Sequence, residues 1–238
     1  MSFVEKVVRR LFLPDAQTGY SQFGEDLIVN FLFNSLGIQQ PTYLDIGANH
    51  PRFISNTYFF YKRGGRGVLV EPNPRLSKML KTVRPRDVVL EVGIGLAAAT
   101  QADFYIFGGF ADGLSTFSKS EATHWETVGL RGHGKIQIEK VIQVPLVSIN
   151  QIIAENFSGK APNFLSLDVE GLDLDVLKGL EFDRFAPDVI CVETLGYDGN
   201  QATFKKHDII EFMLAKKYVA YADTRVNTIF CRSSLIGS

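Results

Sequence analysis

Four short apolar runs, each carrying a carboxylate at or beside its end, constrain this chain more than any other feature. They are TYLDI (42–46), GVLV closing on Glu71-Pro72 (67–72), NFLSL closing on Asp168 (163–168) and VICV closing on Glu193 (189–193). A strand covered on both faces has no wet side to alternate with, so it reads as a continuous apolar run, and such strands belong to parallel sheets sandwiched by helices. Helical patterns lie between and around the runs, at 24–36 (GEDLIVNFLFNSL), 57–63, 172–180 and 204–217. That alternation predicts βαβ units and a mainly parallel sheet. Further strands are expected at 88–92, 103–107 and 137–144. The last two, 218–223 and 228–232, are only a few residues apart, too close for a right-handed crossover, so they must be antiparallel neighbours. The expected fold class is therefore α/β: a mainly parallel sheet with one antiparallel C-terminal strand. The stretch 108–134, rich in glycine and polar residues, reads either as a surface insertion or as a substrate lid over the carboxyl ends of the strands.

Composition narrows the function classes. The chain has 238 residues, 45% of them hydrophobic, enough for a sizeable core, and its net charge of −1 argues against a general nucleic-acid binder. Cys191 and Cys231 sit in apolar runs and read as buried reduced thiols; no Cys/His group has zinc-site spacing. No apolar stretch is long enough to span a bilayer. The first residues, MSFVEKVVRRLFLPD, lack the apolar core and cleavage site of a signal peptide. They read as an amphipathic helical segment over 1–19 docked on a domain spanning 20–238, with a membrane-surface helix as the alternative because Lys6, Arg9 and Arg10 lie among Val and Leu. A cytoplasmic address is expected; oligomeric state is not legible.

The strand ends carry the chemistry. In open α/β sheets the ligand crevice lies beyond the carboxyl ends of the strands. Asp45 is followed by the turn Gly47-Ala48-Asn49-His50-Pro51, in which Asn49 and Pro51 stand where a dinucleotide fingerprint would need glycine. Asp45 would also repel a phosphate, whereas a cationic group such as a sulfonium suits it. Glu71, ending the next strand, is placed to accept hydrogen bonds from the two hydroxyls of a ribose. Asp168 leads a run of acids, Glu170, Asp173 and Asp175, of which the outer ones suit helix capping and Asp168 does not.

Several ordered motifs together resemble the FkbM-type methyltransferases. They are SQFGEDL (21–27), YLDIGANHP (43–51), SNTYFFYKRGGRGVLVEPNP (55–74), GLSTF (113–117) and LSLDVEGLDLDVLKGL (165–180). The resemblance extends over roughly 20–231 and includes Glu193 and the final strands; it departs at Pro51, where many relatives have glycine. It implies a Rossmann-like class I methyltransferase fold, S-adenosyl-L-methionine as cofactor, and methyl transfer to a hydroxyl of a sugar, glycan or natural product. It also implies roles for individual residues. Asp45, Gly47, Ala48 and Asn49 would line the methionine end; Glu71 would hold the ribose, and Pro72 and Asn73 the adenine side. Gly93 and Ile94 would flank the adenine, and Gln22 with Glu25 and Asp26 would close over the site.

An alcohol is a poor nucleophile, so a base or a metal must handle its proton. Asp168 is the first candidate base, with Glu193 and His50 as alternatives; a histidine in such a turn can equally serve only to hydrogen-bond backbone. Asp168, Glu170 and Glu193 are the candidate ligands for Mg²⁺ should the reaction use one. Within 110–134, Asp112, Ser115, Thr116, His124, Trp125 and His133 suggest a polyhydroxylated acceptor, unless Trp125 packs on the core. The remaining alternatives are methylation at nitrogen or carbon of a small molecule, and a catalytically inactive methyltransferase fold used for binding. Carboxylates at all four strand ends count against the last.

Overall fold

The computed structural model describes residues 17–96, 99–129, 134–169, 171–198 and 201–237. The helical segment expected at the start of the chain therefore lies outside the described residues through position 16, as do Glu170 and His133. The first half of the chain runs through α1 (Glu25–Ser35), β1 (Thr42–Ile46), α2 (Tyr58–Lys62), β2 (Arg66–Val70), α3 (Pro74–Val83), β3 (Val88–Leu90), β4 (Gly93–Ile94) and β5 (Gln101–Phe107). A 3-10 turn (Gly109–Leu114), α4 (Lys119–Val128), β6 (Ile138–Val147), α5 (Ile149–Asn156), β7 (Phe164–Leu167), α6 (Asp173–Gly179) and β8 (Val189–Glu193) follow. The chain then forms β9 (Leu195–Asp198), β10 (Gln201–Lys205), α7 (His207–Ala215), β11 (Tyr218–Asp223), β12 (Asn227–Arg232) and α8 (Ser233–Ile236).

The strands expected from the apolar runs form one seven-stranded sheet, ordered β11-β12-β8-β7-β1-β2-β3. β3, β2, β1, β7 and β8 are parallel to their neighbours, whereas β12 is antiparallel to both β8 and β11. The fold is thus α/β with a mainly parallel sheet and one reversed C-terminal strand. That strand is not the edge: the tight turn after β11 sends β12 back into the gap beside β8, and β11 takes the edge. Strand order reverses between β1 and β7, the point at which an open α/β sheet leaves a crevice beyond its strand ends.

Alternation within β1 assigns its two faces. Leu44 and Ile46 join a core with Ile152, Ile153, Val176, Leu177 and Met213 of α5, α6 and α7. Tyr43 joins a second core with Val29, Leu32 and Phe33 of α1, Phe59 and Phe60 of α2, and Leu80 of α3. Each such side chain, fully buried, contributes roughly 1.5–3 kcal/mol, which is why the short strands hold. Both cysteines are buried and unpaired, Cys191 on β8 and Cys231 on β12.

Three helices extend the sequence reading. α3 opens on Asn73-Pro74, the asparagine side chain capping the Arg75 N–H at 3.0 Å, and α5 opens on Ser148, which caps Gln151. α4 occupies a stretch that reads as loop, because its apolar residues are few: Ala122 and Trp125 pack on Phe107, Ala111 and Ile136, a small core separate from the main ones. With the sheet β4-β6-β5 it forms a lid beside the strand ends. The helix expected over 204–217 begins later, at His207, because β9 and β10 pair first as a hairpin.

Candidate functional site

A cavity of about 340 Å³ opens at the strand-order reversal, within the range of small-molecule sites. Its floor is the loop after β1, its far wall the end of β2 and the β3–β4 region, and its roof the lid. Ile46, Gly47, Asn49, Glu71, Pro72, Gly93, Ile94 and Asp168 line it, joined by Asp112, Gly113, Ser115, Thr116, Phe117, Ser118 and Glu121 from the lid.

Gly47 is required for two reasons. Its φ of +81° is a left-handed conformation, and a Cβ there would lie 1.9 Å from the carbonyl oxygen of Asp168. The glycine therefore lets the β1 loop and the β7 loop meet, so that Asp168 comes over the cavity floor. Gly93 plays a matching part at the far wall, where a Cβ would stand 2.4 Å from the Phe117 ring of the lid. Asn49, at φ +48°, completes the tight turn and donates its N–H to Glu71 Oε2 at 2.8 Å.

Glu71 is 5% exposed, and its other oxygen accepts the Asn73 N–H, also at 2.8 Å. Each oxygen thus keeps acceptor capacity on the cavity side. Burial pushes its carboxyl up to about 7, against the two backbone donors, with Asp45 and Glu91 adding to the rise.

Asp168 opens onto the cavity, yet protein displaces bulk water around it. That crowding pushes its carboxyl up to about 7, Glu193 and Asp173 adding repulsion and Lys206 pulling the other way. Glu193 and Asp173 themselves are held by Lys206 Nζ, at 3.3 and 3.4 Å. Glu193 does not line the cavity; it stands behind Asp168 in this acid–lysine group.

The remaining sequence candidates disperse. Asp45 turns into the α2–α3 layer, away from the cavity, where the Thr57 hydroxyl donates to it at 2.5 Å. Ala48 is buried in the same core, and Asn73, off the cavity wall, caps α3 through Oδ1 while its buried Nδ2 finds no partner among the described residues. Gln22 is exposed and off the cavity wall. Glu25 instead accepts hydrogen bonds from Thr224 and Asn227, and Asp26 from Tyr20 and Ser21, tying the pre-sheet segment to the C-terminal hairpin and to itself. His50 Nδ1 accepts the N–H groups of Arg52 and Phe53 at 3.1 and 2.9 Å, so the turn uses the ring, and it too lies off the cavity. Burial and Arg52 push its pKa down. His124 is exposed beside Trp125. Trp125 packs within the lid's own core rather than on the cavity.

Among the described residues no group of three or more His, Cys, Asp and Glu could hold a metal ion, and Glu193 is engaged by Lys206. Among them, too, no helix is long and apolar enough to cross a membrane. The charged lining residue that sequence reasoning misses is Glu121. Its signal was present in Ser118-Lys-Ser-Glu121, a capping-box spacing, and Ser118 does cap the Glu121 N–H at 3.2 Å.

A family model described as the methyltransferase FkbM domain matches residues 45–220. No curated protein matches the chain in sequence. Among solved structures, a TehB-like SAM-dependent methyltransferase from Corynebacterium glutamicum is similar at TM-score 0.43 and 9% identity, covering 97% of this chain and 96% of that one. An O-methyltransferase from Bacillus cereus in complex with SAH gives TM-score 0.42 and 10% identity, covering 96% of each chain. Magnesium protoporphyrin IX methyltransferase from Synechocystis with bound SAM gives 0.43 and 10%, covering 98% and 92%.

Proposed function

Because this chain belongs to the FkbM methyltransferase family, we propose that its cavity holds S-adenosylmethionine and that the methyl group passes to a hydroxyl of a sugar, glycan or other small natural product. The domain responsible spans 20–238. The observation that carries the reading is Glu71: a buried carboxylate at a strand end, fixed by two backbone N–H groups, with acceptor capacity left for two ribose hydroxyls.

The residues present fit that cofactor. Bound there, it would supply an electrophilic methyl on a sulfonium. The chain would do the rest. Glu71 holds the ribose, the turn Gly47–Asn49 supports the methionine end, and Pro72, Gly93 and Ile94 flank the base. Leu76 and Phe117 give the cavity an apolar wall. Asp168 accepts the acceptor's hydroxyl proton at a carboxylate oxygen; a base poised near neutrality is the useful kind. Alignment of acceptor and methyl within one cavity lowers the barrier by about 7 kcal/mol or more.

Calorimetry with S-adenosylhomocysteine tests the reading. Binding of one molecule per chain, with a raised melting temperature, is expected. Heat from NAD and none from S-adenosylhomocysteine would overturn it.

A further inference from the structure

The cavity wall carries four carboxylates, Glu71, Asp112, Glu121 and Asp168, and among its described lining residues no lysine, arginine or histidine. Two of the four are accounted for. Glu71 belongs to the ribose end, and Asp112 is paired with Arg75 at the base of α3. The described cation nearby on the β8 side, Lys206, is already held by Asp173 and Glu193. Glu121 and Asp168 are left as free charges, one from the lid and one from the sheet.

Glu121 is fixed in place. Its Oε2 accepts the Thr116 hydroxyl at 2.7 Å, and Thr116 Oγ1 in turn accepts the Ser118 N–H at 3.1 Å. Its Oε1 faces the loop after β7, 3.6 Å from where a Cβ on Gly171 would stand. Thr116 is tied to β5 by paired backbone hydrogen bonds with Tyr105. A carboxylate held on the cavity wall by Thr116, with no cation paired to it among the described residues, faces whatever enters the cavity.

We propose that Glu121 is a specificity-determining residue of the acceptor site. Together with Asp168 it admits an uncharged or cationic acceptor that offers hydroxyl or ammonium donors. It rejects one bearing a phosphate or carboxylate beside the reacting group. This rests on the cavity being the site of methyl transfer. An anion placed between Glu121 and Asp168, with Arg75 already paired to Asp112 and Lys206 to Asp173 and Glu193, is excluded by repulsion and by unmet desolvation.

The test uses the full chain, with S-adenosylhomocysteine binding measured first on the same preparation. Protein is then incubated with methyl-labelled S-adenosylmethionine and a small-molecule cell extract, and the labelled products are passed over an anion exchanger. Most of the transferred label is expected in the unretained fraction. Glu121→Gln keeps the acceptor oxygen for Thr116 and so preserves the fold; it should raise the retained share of label by about tenfold, with S-adenosylhomocysteine affinity changed less than about threefold. Wild-type label held on the resin and released by phosphatase overturns the inference, as does an unchanged distribution in Glu121→Gln. Absent S-adenosylhomocysteine binding would instead overturn the underlying reading, and this inference with it.

Discussion

Asp45 and Asp168 follow the same rule of sequence, a carboxylate at the end of a buried parallel strand, and their strands β1 and β7 are hydrogen-bonded neighbours. Their surroundings are opposite. Asp45 is 5% exposed and closed in by Thr57, while Arg84, itself 0% exposed, donates to Thr57 at 3.0 Å and to Asp87 at 2.8 Å. Tyr43 donates its hydroxyl to Asp87, and the Arg84 guanidinium lies over the Tyr43 and Tyr61 rings. Burial pushes the Asp45 carboxyl up, and Arg84, Thr57 and Ser166 pull it back down. Asp168 has only Lys206 acting that way, at one remove, and three other acids, Glu193, Asp173 and Asp45, against it. One acid is therefore satisfied by the protein, and the other is left for a ligand. A strand-end carboxylate marks a site only when its own partners do not already complete it.

The sharpest way to break this comparison is at Arg84. Replacing it with Met strips a buried carboxylate, Asp87, of its cation and Asp45 of its indirect one. A loss of about 3–5 kcal/mol of folding stability is expected, read from urea denaturation. A loss below about 1 kcal/mol would show that the network is not holding β1, since such a value is typical of a solvent-screened pair.

Glu71 lies between the two cases, buried like Asp45 and open to the cavity like Asp168. Glu71→Ala should weaken S-adenosylhomocysteine binding by about 1.5–3 kcal/mol, the worth of hydrogen bonds to a charged group, with the fold retained. Unchanged affinity in calorimetry would move Glu71 into the satisfied class. The same residue predicts a pH dependence. Its carboxyl stands at about 7 in the folded protein against an ordinary 4.5, so protonation favours the folded state. The contribution of this group to stability is full below about 4.5 and is lost as pH rises through about 7. Binding should run the other way, because only the ionised form accepts two ribose hydroxyls. S-adenosylhomocysteine affinity should fall as pH drops below about 7, approaching tenfold per unit, or about 1.4 kcal/mol. A flat profile between pH 5.5 and 8 would remove Glu71 from the cofactor.

These contrasts mark where sequence reading succeeds. The parallel sheet was legible because burial on both faces leaves so plain a trace in TYLDI or VICV. Strand ends singled out Gly47 and Glu71, the family resemblance added Pro72, Gly93 and Ile94, and all five line one cavity. Asp45 was open to correction from its own strand: in TYLDI it shares a face with Tyr43, opposite Leu44 and Ile46, and Tyr43 packs on α1–α3. The lid was harder. α4 has a single fully buried residue, Ala122, so its amphipathic signal is faint. The position of Glu121 over the cavity depends on pairing of β5 with β6 across some forty residues, which no local pattern encodes. Glu193 shows the same limit from the other side, since the partner that draws it off the cavity, Lys206, comes from beyond the β9–β10 hairpin.

The smallest expected effect separates the two aspartates directly. Asp45→Asn keeps an oxygen for the Thr57 hydroxyl but buries an amide NH2 beside the Arg84 guanidinium, which offers it no acceptor, so it should cost about 1–2 kcal/mol of stability. Asp168→Asn should cost none, and at pH 8 it should raise the melting temperature slightly. At that pH the carboxylate is ionised against surrounding protein and against Glu193 and Asp173, and its upward-shifted pKa of about 7 has the sign of a group whose charge the fold disfavours. The advantage of Asn should vanish as pH falls through about 7, where the wild-type aspartate takes up its proton. Methyl transfer should collapse in Asp168→Asn at every pH, since a neutral amide cannot accept the hydroxyl proton, while S-adenosylhomocysteine binding survives. Thermal melts of both variants at pH 6 and 8 read the difference. If Asp168→Asn loses as much stability as Asp45→Asn, then Asp168 is also satisfied within the protein and is not the base.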